Sequence, residues 1–359
     1  MAKCPNARFP SQKDSMMEQM SGKSVVSIGV VIPVHGNYRH VIKRTLDAVN
    51  DQIAQPRVVL LVIDGPDPDI EAIAHNHASK LKILVLPRNT GGPATPRNEG
   101  AALLMAKHDV DAIWFLDADD IPHPRFLEVV SQAMEKNPEA DLVCTGFGLW
   151  HQNTERPPLD DKADKALDEG DSMTIDLDWY LGQTGSMLPS FTVVRTRSFS
   201  SIRQSRAPFE PAYRNNQDYD MFVRTLHLQS GIRIDWQGGD YRLHPEAISA
   251  QGSEAWMCRA SVNRDLKDWF QEQGADDLAK RMVIDEGSAI RKAARHLWRR
   301  ARPGDRHTAI RLLVEDIQEH RTIRSLALLL LMPLGLDAKA RRIPRDGDTR
   351  QAVALNTES

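Results

Sequence analysis

Residues 25–33 read VVSIGVVIP and residues 58–63 read VVLLVI, two continuous apolar stretches of strand length. Between them, residues 38–52 carry apolar side chains at the three-and-four spacing of an amphipathic helix. The first stretch ends at a proline, and the second runs into the turn sequence DGPD. Strand, helix and strand in this order predict a βαβ unit with two parallel strands.

The same alternation continues towards the middle of the chain. Continuous apolar strands separated by helices are typical of an α/β fold, in which a mainly parallel sheet has helices on both faces. Ligands of such folds gather at the carboxyl ends of the strands, so the polar residues there are candidate site residues. The further strands are predicted at 81–86, 112–116 and 141–147, and the further helices at 70–80, 96–107 and 124–136.

The C-terminal third is predicted to be helical, because apolar residues recur at helical spacing from 254 to 330 with breaks at Gly274 and at 302–304. A charged stretch at 151–171 is predicted to be an exposed loop. The predicted division is a flexible leader at 1–24, an α/β domain at 25–250, a helical region at 251–336 and a disordered tail at 337–359.

Composition excludes several classes of protein. The chain has 359 residues, 41% of them hydrophobic, and a formal net charge of -3, so no bulk charge draws it to nucleic acid. Cys4, Cys144 and Cys258 have neither zinc-site nor disulfide-framework spacing, which favours a reducing compartment. The polar N-terminus does not resemble a secretory signal, and the apolar run at 326–336 is shorter than the roughly 20 residues of a membrane span. These features predict a cytoplasmic protein.

The segment FLDADD at 115–120 places three carboxylates directly after an apolar strand. Such a cluster is costly to bury unless a cation neutralises it, and hard oxygen ligands suit Mg²⁺ or Mn²⁺. Phosphate oxygens usually complete the shell of these ions, so a nucleotide diphosphate is the expected ligand. The alternative is a helix N-cap with an acidic first turn before Pro122.

Six segments in this order resemble the family 2 glycosyltransferases, whose domain has the GT-A fold. The resemblance extends from about residue 25 to 249. It implies a Rossmann-like, mixed but mainly parallel sheet flanked by helices. The segments are VVIPVHGN at 30–37, VIDGPDPD at 62–69, RNTGGPATPRNEG at 88–100, FLDADD at 115–120, NQDYDMFVR at 216–224 and YRLHPEAIS at 241–249.

The resemblance implies a donor side for a nucleotide sugar. Asp64 matches a carboxylate that binds the base or ribose, with a plain turn aspartate as the alternative. Arg97 is expected to face phosphate or the acidic cluster, with a structural ion pair as the alternative. The full set of donor-side residues implied by the match is Pro33, Val34, His35, Asp64, Gly92, Arg97, Asp117 and Ala118.

A divalent metal, Mn²⁺ or Mg²⁺, is implied at Asp119 and His244. His244 alone, however, is equally typical of an ordinary polar residue. Asp120 is expected to cap a helix without touching the donor. Arg242 and Ser249 are weaker candidates for diphosphate contacts.

Asp218 matches the family's catalytic base, which takes the proton of the attacking hydroxyl. The sequence departs from the pattern at Gln217, where a glutamate is usual, and this change indicates a different acceptor. Asp220 is expected to point elsewhere along the same helix. Trp179, Tyr180 and Phe209 are candidates for stacking on the acceptor, although aromatic residues in such places more often belong to the core.

The sequence therefore predicts metal-assisted transfer of a sugar from a nucleotide sugar to an acceptor hydroxyl, with inversion. UDP is the expected donor nucleotide, with GDP, dTDP and retention left open, and the acceptor is a glycan, a lipid-linked or a small molecule. The rival functions are a nucleotidyltransferase of similar fold and an inactive GT-A module that binds a partner. A dehydrogenase is disfavoured because no G-x-G-x-x-G follows the first strand.

The sequence also gives expectations about partners other than the substrates. We expect no nucleic-acid ligand, a weak peripheral contact of the C-terminal helices with the inner face of the membrane, and a homodimer. The membrane contact is suggested by four arginines that share one helical face, although a solvated helix face explains them equally well. These are Arg291, Arg295, Arg299 and Arg302.

Overall fold

The computed structural model describes most of the chain beyond residue 25. The predicted leader at 1–24, all of the predicted tail except Asp337 and most of the predicted loop at 151–171 lie outside the described residues. The described ranges are 26–77, 81–158, 172–183, 185–202, 207–245, 247 and 252–337.

The N-terminal half folds as the predicted βαβ alternation. The strands are β1 (Ile28–Val34), β2 (Val58–Ile63), β3 (Leu81–Val85) and β4 (Ala112–Phe115), and the helices are α1 (Ile42–Asn50), α2 (Pro68–His75) and α3 (Ala94–Lys107). β2 has the predicted bounds, whereas α2 is shorter than the predicted helix at 70–80. The four strands are parallel, in the order β3-β2-β1-β4.

The second half of the sheet is mixed. Its strands are β5 (Ile121–Pro122), β6 (Leu142–His151), β7 (Ser172–Ile175), β8 (Thr192–Arg195) and β9 (Gly231–Leu243). β8 lies antiparallel between β4 and β6, and β9 is parallel to β6. β4, β6 and β9 therefore run in one direction, and β9 ends at the same edge of the sheet as β1, β2 and β4. β6 also continues four residues beyond the predicted strand, because irregular pairing around Gly146 and Gly148 lets it stay against β9.

Helices cover both faces of the sheet, as predicted. They include α4 (Phe126–Lys136), α5 (Leu177–Gly182), α6 (Arg197–Ile202) and α7 (Gln217–Leu228). Val31, Leu60 and Val62 point to one face, where α3 and α7 pack, and Val30, Ile32 and Leu61 point to the other, where α1 and α4 pack. The fold is the GT-A type α/β fold with a mixed sheet.

Gly100 allows α3 to lie unusually close to the sheet. A Cβ atom at this position would lie 2.5 Å from a methyl group of Val31 and 3.1 Å from one of Val62. Any larger residue would therefore push the helix away from β1 and β2.

The C-terminal region is helical, as predicted. It consists of α8 (Ser253–Glu272), α9 (Asp276–Arg300), α10 (Asp305–His320) and α11 (Ile323–Leu331), which share a separate apolar core. The break at Arg321 and Thr322 was not predicted; Arg321 ends α10 in the left-handed region and Thr322 caps α11. Among the described residues, no helix combines the length and the apolar character needed to span a bilayer.

The predicted basic helical face does not form. Arg291 is buried and paired with Asp316 at 2.9 Å, and Arg295 is paired with Asp337 at 2.8 Å. Arg299 is half-buried and donates to the backbone of Arg295. These three arginines point inwards, towards residues that pack against α9. The spacing of arginines on one helical face therefore reflects helix packing rather than a free basic surface.

Candidate active site

The carboxyl ends of β1, β2, β4 and β9 surround one cleft of about 350 Å³. It brings together residues that are more than 200 positions apart in the sequence. The predicted residues that line it are Pro33, Val34, His35, Asp64, Gly92, Arg97, Asp117, Ala118, Asp119, Gln217, Asp218 and His244.

Asp64 follows β2 and holds the loop that forms one rim of the cleft. Its carboxylate accepts hydrogen bonds from the backbone N–H of Thr90 at 2.9 Å and from the Thr90 hydroxyl at 3.1 Å. His35 follows the adjacent strand β1 and also lines the cleft; burial lowers its pKa, and the charge of Asp64 partly opposes that shift. Neutral imidazole is therefore favoured next to the carboxylate.

Arg97, in the first turns of α3, reaches the floor of the cleft. Its guanidinium forms an ion pair with Asp117 and lies 5.1 Å from the centre of the Phe209 ring. Burial raises the pKa of Asp117, and the nearby Arg97 charge opposes that rise. The Nε and Nη1 atoms of Arg97 have no hydrogen-bond partner within the described residues. These donors are available to an anionic ligand.

Asp119 and His244 come together from opposite halves of the chain. The Asp119 carboxylate lies 3.1 Å from Nε2 of His244 and 3.5 Å from the Arg242 guanidinium. Tyr38 packs edge-on against both His35 and His244, with ring centres 5.0 and 6.0 Å apart. Burial and the adjacent aspartates raise the pKa of Tyr38, so its hydroxyl stays protonated.

Asp120 does not cap a helix, in contrast to the prediction. It precedes the short strand β5, and its carboxylate accepts the backbone N–H of Arg242 in β9 at 3.0 Å. It does not line the cleft. Burial, together with the charges of Asp119 and Asp117, raises its pKa well above the usual range. Asp120 therefore connects two parts of the sheet, and the acidic stretch is not the start of a helix.

Asp218 lies in the first turn of α7 and faces the cleft. Its carboxylate accepts the backbone N–H of Tyr219 at 2.9 Å. The preceding residue Gln217 is buried, yet its Oε1 has no hydrogen-bond partner among the residues described. Asp220 is buried and forms an ion pair with Arg224 at 2.9 Å, so it points away from the cleft.

Asn216 starts α7 with a left-handed backbone, at φ 60°. Its side-chain amide donates to the carbonyl of Ala255 at 3.1 Å and accepts from Arg259 at 2.8 Å. Both partners belong to α8. The first turn of the Asp218 helix is therefore fixed by the C-terminal helical region.

The three predicted acceptor aromatics do not line the cleft. Phe209 is fully buried and packs edge-on against Phe115, with ring centres 4.9 Å apart. Tyr180 is buried against Phe222, and Trp179 lies under Arg233. They are core or core-edge residues, because α5 packs with Trp179 and Tyr180 towards the core and the loop before α7 places Phe209 against β4.

Several lining residues were not predicted. Tyr38 and Asn37 follow the first strand, and Arg214 and Asn215 immediately precede the Asp218 segment. Their adjacency to the matching segments is the signal that could have found them. Of the weaker diphosphate candidates, Arg242 is buried beside Asp119, and Ser249 lies outside the described residues.

A second cluster with metal-ligand chemistry lies away from the cleft. Glu286, Glu319 and His320 bring ligand atoms within 4.8 Å of one another on the C-terminal helices. Arg264 forms ion pairs with both glutamates, at 2.5 and 3.2 Å. Because Arg264 pairs with both carboxylates and His320 lies 3.5 Å from Glu286, the cluster is an ion-pair network between helices.

Comparison with known proteins identifies the domain. Residues 29–203 match the family model described as Glycosyl transferase family 2. This segment resembles glycosyltransferase family 2. The match ends before Asp218 and His244, so these two residues lie outside the matched segment.

Two curated relatives are glycosyltransferases. The chain is 27% identical over 126 residues to the poly(ribitol-phosphate) beta-N-acetylglucosaminyltransferase TarP of Staphylococcus aureus. It is 25% identical over 129 residues to an uncharacterized glycosyltransferase of Methanocaldococcus jannaschii. The alignment with TarP covers 34% of this chain and 37% of TarP. The alignment with the second relative covers 35% of this chain and 43% of that relative. The chain thus spans less than half the length of the curated relatives it matches.

Solved structures with the same fold include TarS of S. aureus. A crystal structure of TarS matches with a TM-score of 0.56 at 16% identity, covering 92% of this chain and 53% of TarS. Residues 1–349 of TarS in complex with UDP-GlcNAc match with a TM-score of 0.58 at 14% identity, covering 92% of this chain and 88% of that one. The likeness extends over the C-terminal helices and shows the fold of the chain.

Proposed function

We propose that this chain transfers a sugar from a nucleotide sugar to an acceptor hydroxyl. The observation that carries the proposal is the convergence of Asp64, Asp119 and Asp218 on one cleft, where a donor and an acceptor would meet. The match of residues 29–203 to family 2 and the glycosyltransferase relatives support the same reaction class.

We assign the donor to the side formed by His35, Asp64 and Gly92. The Asp64 carboxylate would orient the base or ribose, and the unpartnered N–H groups of Arg97 would bind diphosphate oxygens. A UDP sugar is the proposed donor. TarS, which shares the fold, has been crystallised with UDP and with UDP-GlcNAc.

Asp218 is the proposed catalytic base. Its carboxylate would accept the proton of the acceptor hydroxyl as that oxygen attacks the anomeric carbon. Attack on the face opposite the departing diphosphate is a single displacement and inverts the configuration. The unpartnered Oε1 of Gln217 would accept a second hydroxyl of the acceptor.

Asp119 and His244 are the residues that would hold a divalent metal. Their ligand atoms lie 3.1 Å apart, and a carboxylate oxygen with an imidazole nitrogen suits Mn²⁺ or Mg²⁺ when phosphate and water complete the shell. When bound, such an ion offsets negative charge on the departing diphosphate. Arg242, 3.5 Å from Asp119, adds fixed positive charge at the same place.

Two variants test the division of roles. Asp218→Asn is expected to keep the affinity for UDP within about twofold and to lower transfer by at least about a hundredfold, since general-base catalysis contributes that much. Asp119→Ala is expected to weaken UDP binding and to remove its dependence on Mn²⁺. UDP binding is measured by calorimetry with and without Mn²⁺, and transfer by release of UDP.

Asp235→Asn is a control, because Asp235 is an exposed residue of β9 that does not line the cleft. Normal turnover of Asp218→Asn would contradict its assignment as base. A thermal-shift comparison of UDP, GDP, dTDP and CDP tests the donor, since a ligand of the folded state raises its stability. A shift produced by another nucleotide and not by UDP would contradict the proposed donor.

We propose a class of acceptor, namely a glycan, a lipid-linked molecule or a small molecule with a free hydroxyl. The relative TarP acts, by its name, on poly(ribitol-phosphate). A cytoplasmic location and a homodimer remain predictions.

A further inference from the structure

α11 and the turn that follows it expose large apolar side chains. Ile323 is 81% exposed, Leu330 62% and Leu334 69%, while Leu328 and Met332 on the other side are buried. We define the apolar face as Ile323, Leu326, Leu330, Leu331, Leu334 and Leu336. A continuous exposed patch of this kind marks an interaction surface rather than ordinary surface variation.

The charge around the apolar face has one sign. Arg321 and Arg324 are exposed at the start of α11, and the sequence from 321 to 336 contains no Asp or Glu. The following acid, Asp337, is already paired with Arg295. Four further basic residues follow in the sequence, at Lys339, Arg341, Arg342 and Arg345. The surface is thus apolar with a basic border.

We propose that the apolar face docks the protein on an anionic membrane surface. Leucine and isoleucine side chains would enter the boundary between headgroups and acyl chains, and the arginines would bind acidic headgroups. α11 has nine residues, which is too short to cross a bilayer, so it would lie along the surface. This inference goes beyond the transferase activity and does not depend on it.

The one-sign border disfavours a second copy as the occupant. A two-fold contact places the same patch of both protomers face to face. Here both apolar faces carry a net positive charge and residues 321–336 offer no Asp or Glu to pair with it, so the two copies would repel each other. An anionic lipid surface removes this repulsion.

The test is sedimentation of the full chain with vesicles of phosphatidylcholine alone or mixed with phosphatidylglycerol. We expect binding to the mixed vesicles that weakens as salt is raised. Leu330→Ser and Leu334→Ser together are expected to abolish binding. Arg321→Gln and Arg324→Gln are each expected to weaken it roughly fivefold, the contribution of one basic residue near such a surface.

Ile284→Ser is the matched control, because Ile284 is 61% exposed on α9, outside the apolar face, and should leave vesicle binding unchanged. All variants should keep the wild-type thermal unfolding midpoint and affinity for UDP. Absence of vesicle binding by the wild-type chain, or binding that the leucine variants retain, would overturn the proposal. The proposal would also be overturned if the wild-type chain sedimented as a dimer that does not bind vesicles while the leucine variants sedimented as monomers.

Discussion

Arg97 and Asp117 form a buried ion pair beneath the cleft. The Arg97 side chain is 3% exposed, and Asp117 is the carboxylate it pairs with. Removing one partner of such a pair leaves the other charge without compensation in a poorly solvated site. Breaking the pair should therefore destabilise the fold, at the lower end of the range for buried pairs because the Asp117 side chain is 32% exposed.

Arg97→Met is expected to lower the free energy of unfolding by about 3 kcal/mol, the usual cost of breaking a buried pair. Urea unfolding of the purified protein measures this. Lys43→Met is the comparison, since the pair of Lys43 with Asp47 is exposed and should contribute less than about 1 kcal/mol. Equal effects of the two substitutions would show that the Arg97 pair is not buried in solution.

Single residues were predicted well where a local motif specifies them. Asp117, Asp119 and Asp64 follow strands that are evident from the apolar runs, so their place at the sheet edge could be predicted. Whether an aromatic ring is buried in the core could not be predicted. Phe209 lies in the core because α3 and the sheet close over it, and that packing is not encoded in its local sequence.

At the level of elements, the position of α3 depends on one glycine. Gly100→Ala would introduce a methyl group 2.5 Å from Val31, and overpacking of a core commonly costs about 1–3 kcal/mol. Because Arg97 is on the same helix, we also expect weaker UDP binding. Unfolding and calorimetry measure the two effects, and Gly182→Ala is the control since a Cβ there meets nothing within 4 Å.

Asp305, at the start of α10, should make a pH-dependent contribution to the free energy of unfolding. Asp305 accepts two hydrogen bonds from Arg300 and one from the backbone of Arg302, which lowers its pKa to about 2. An unfolded aspartate has a pKa of about 3.9, so this stabilisation is complete above pH 4 and is lost as the pH falls towards 2.

Asp305→Asn is therefore expected to lower the urea midpoint at pH 7, and the difference from wild type should shrink below about pH 4. Glu315→Gln, on the same helix, serves as the reference because Glu315 is exposed and its pair with Arg311 is long, at 3.8 Å. If the difference in urea midpoint between Asp305→Asn and wild type were the same at pH 7 and pH 3, the ionised Asp305 carboxylate would not be the source of this stabilisation.

The four strands of the parallel half of the sheet could be predicted, whereas β8 and β9 in the mixed half could not. β1 to β4 are continuous apolar runs separated by helices, which is a local pattern. β8 has four residues and pairs with β4 and β6, whose sequence positions are far away. β9 carries glycines and polar residues within its length, so no regular alternation marks it.

At the scale of the whole molecule, the C-terminal helices support the candidate base. Arg259 of α8 donates to the side chain of Asn216 and lies 3.4 Å from the centre of the Tyr219 ring. Asp218 lies between these two residues in the sequence. A domain boundary at 250 was predicted and α8 begins at Ser253, but the two regions are not independent at the site.

Arg259→Met is expected to lower the transfer rate about tenfold to a hundredfold, because small misplacements of a reacting group have effects of this size. UDP affinity should stay near the wild-type value, since the contacts of Arg259 are with Asn216 and Tyr219 rather than with the proposed donor-side residues. Lys267→Met on the same helix is the control, as its ion pair is with the neighbouring Asp268. A parallel loss of UDP affinity would indicate general unfolding instead.

The hydrogen bond from the Asn216 amide to the backbone of Ala255 limits where this protein can be recombined with its relatives. A chimera joined near residue 250 would place a foreign helix beneath the turn that carries Asp218, and the two would not have matching partners. A junction after Glu272 keeps both sides of that bond in one parent, and is the better choice for exchanging the C-terminal segment.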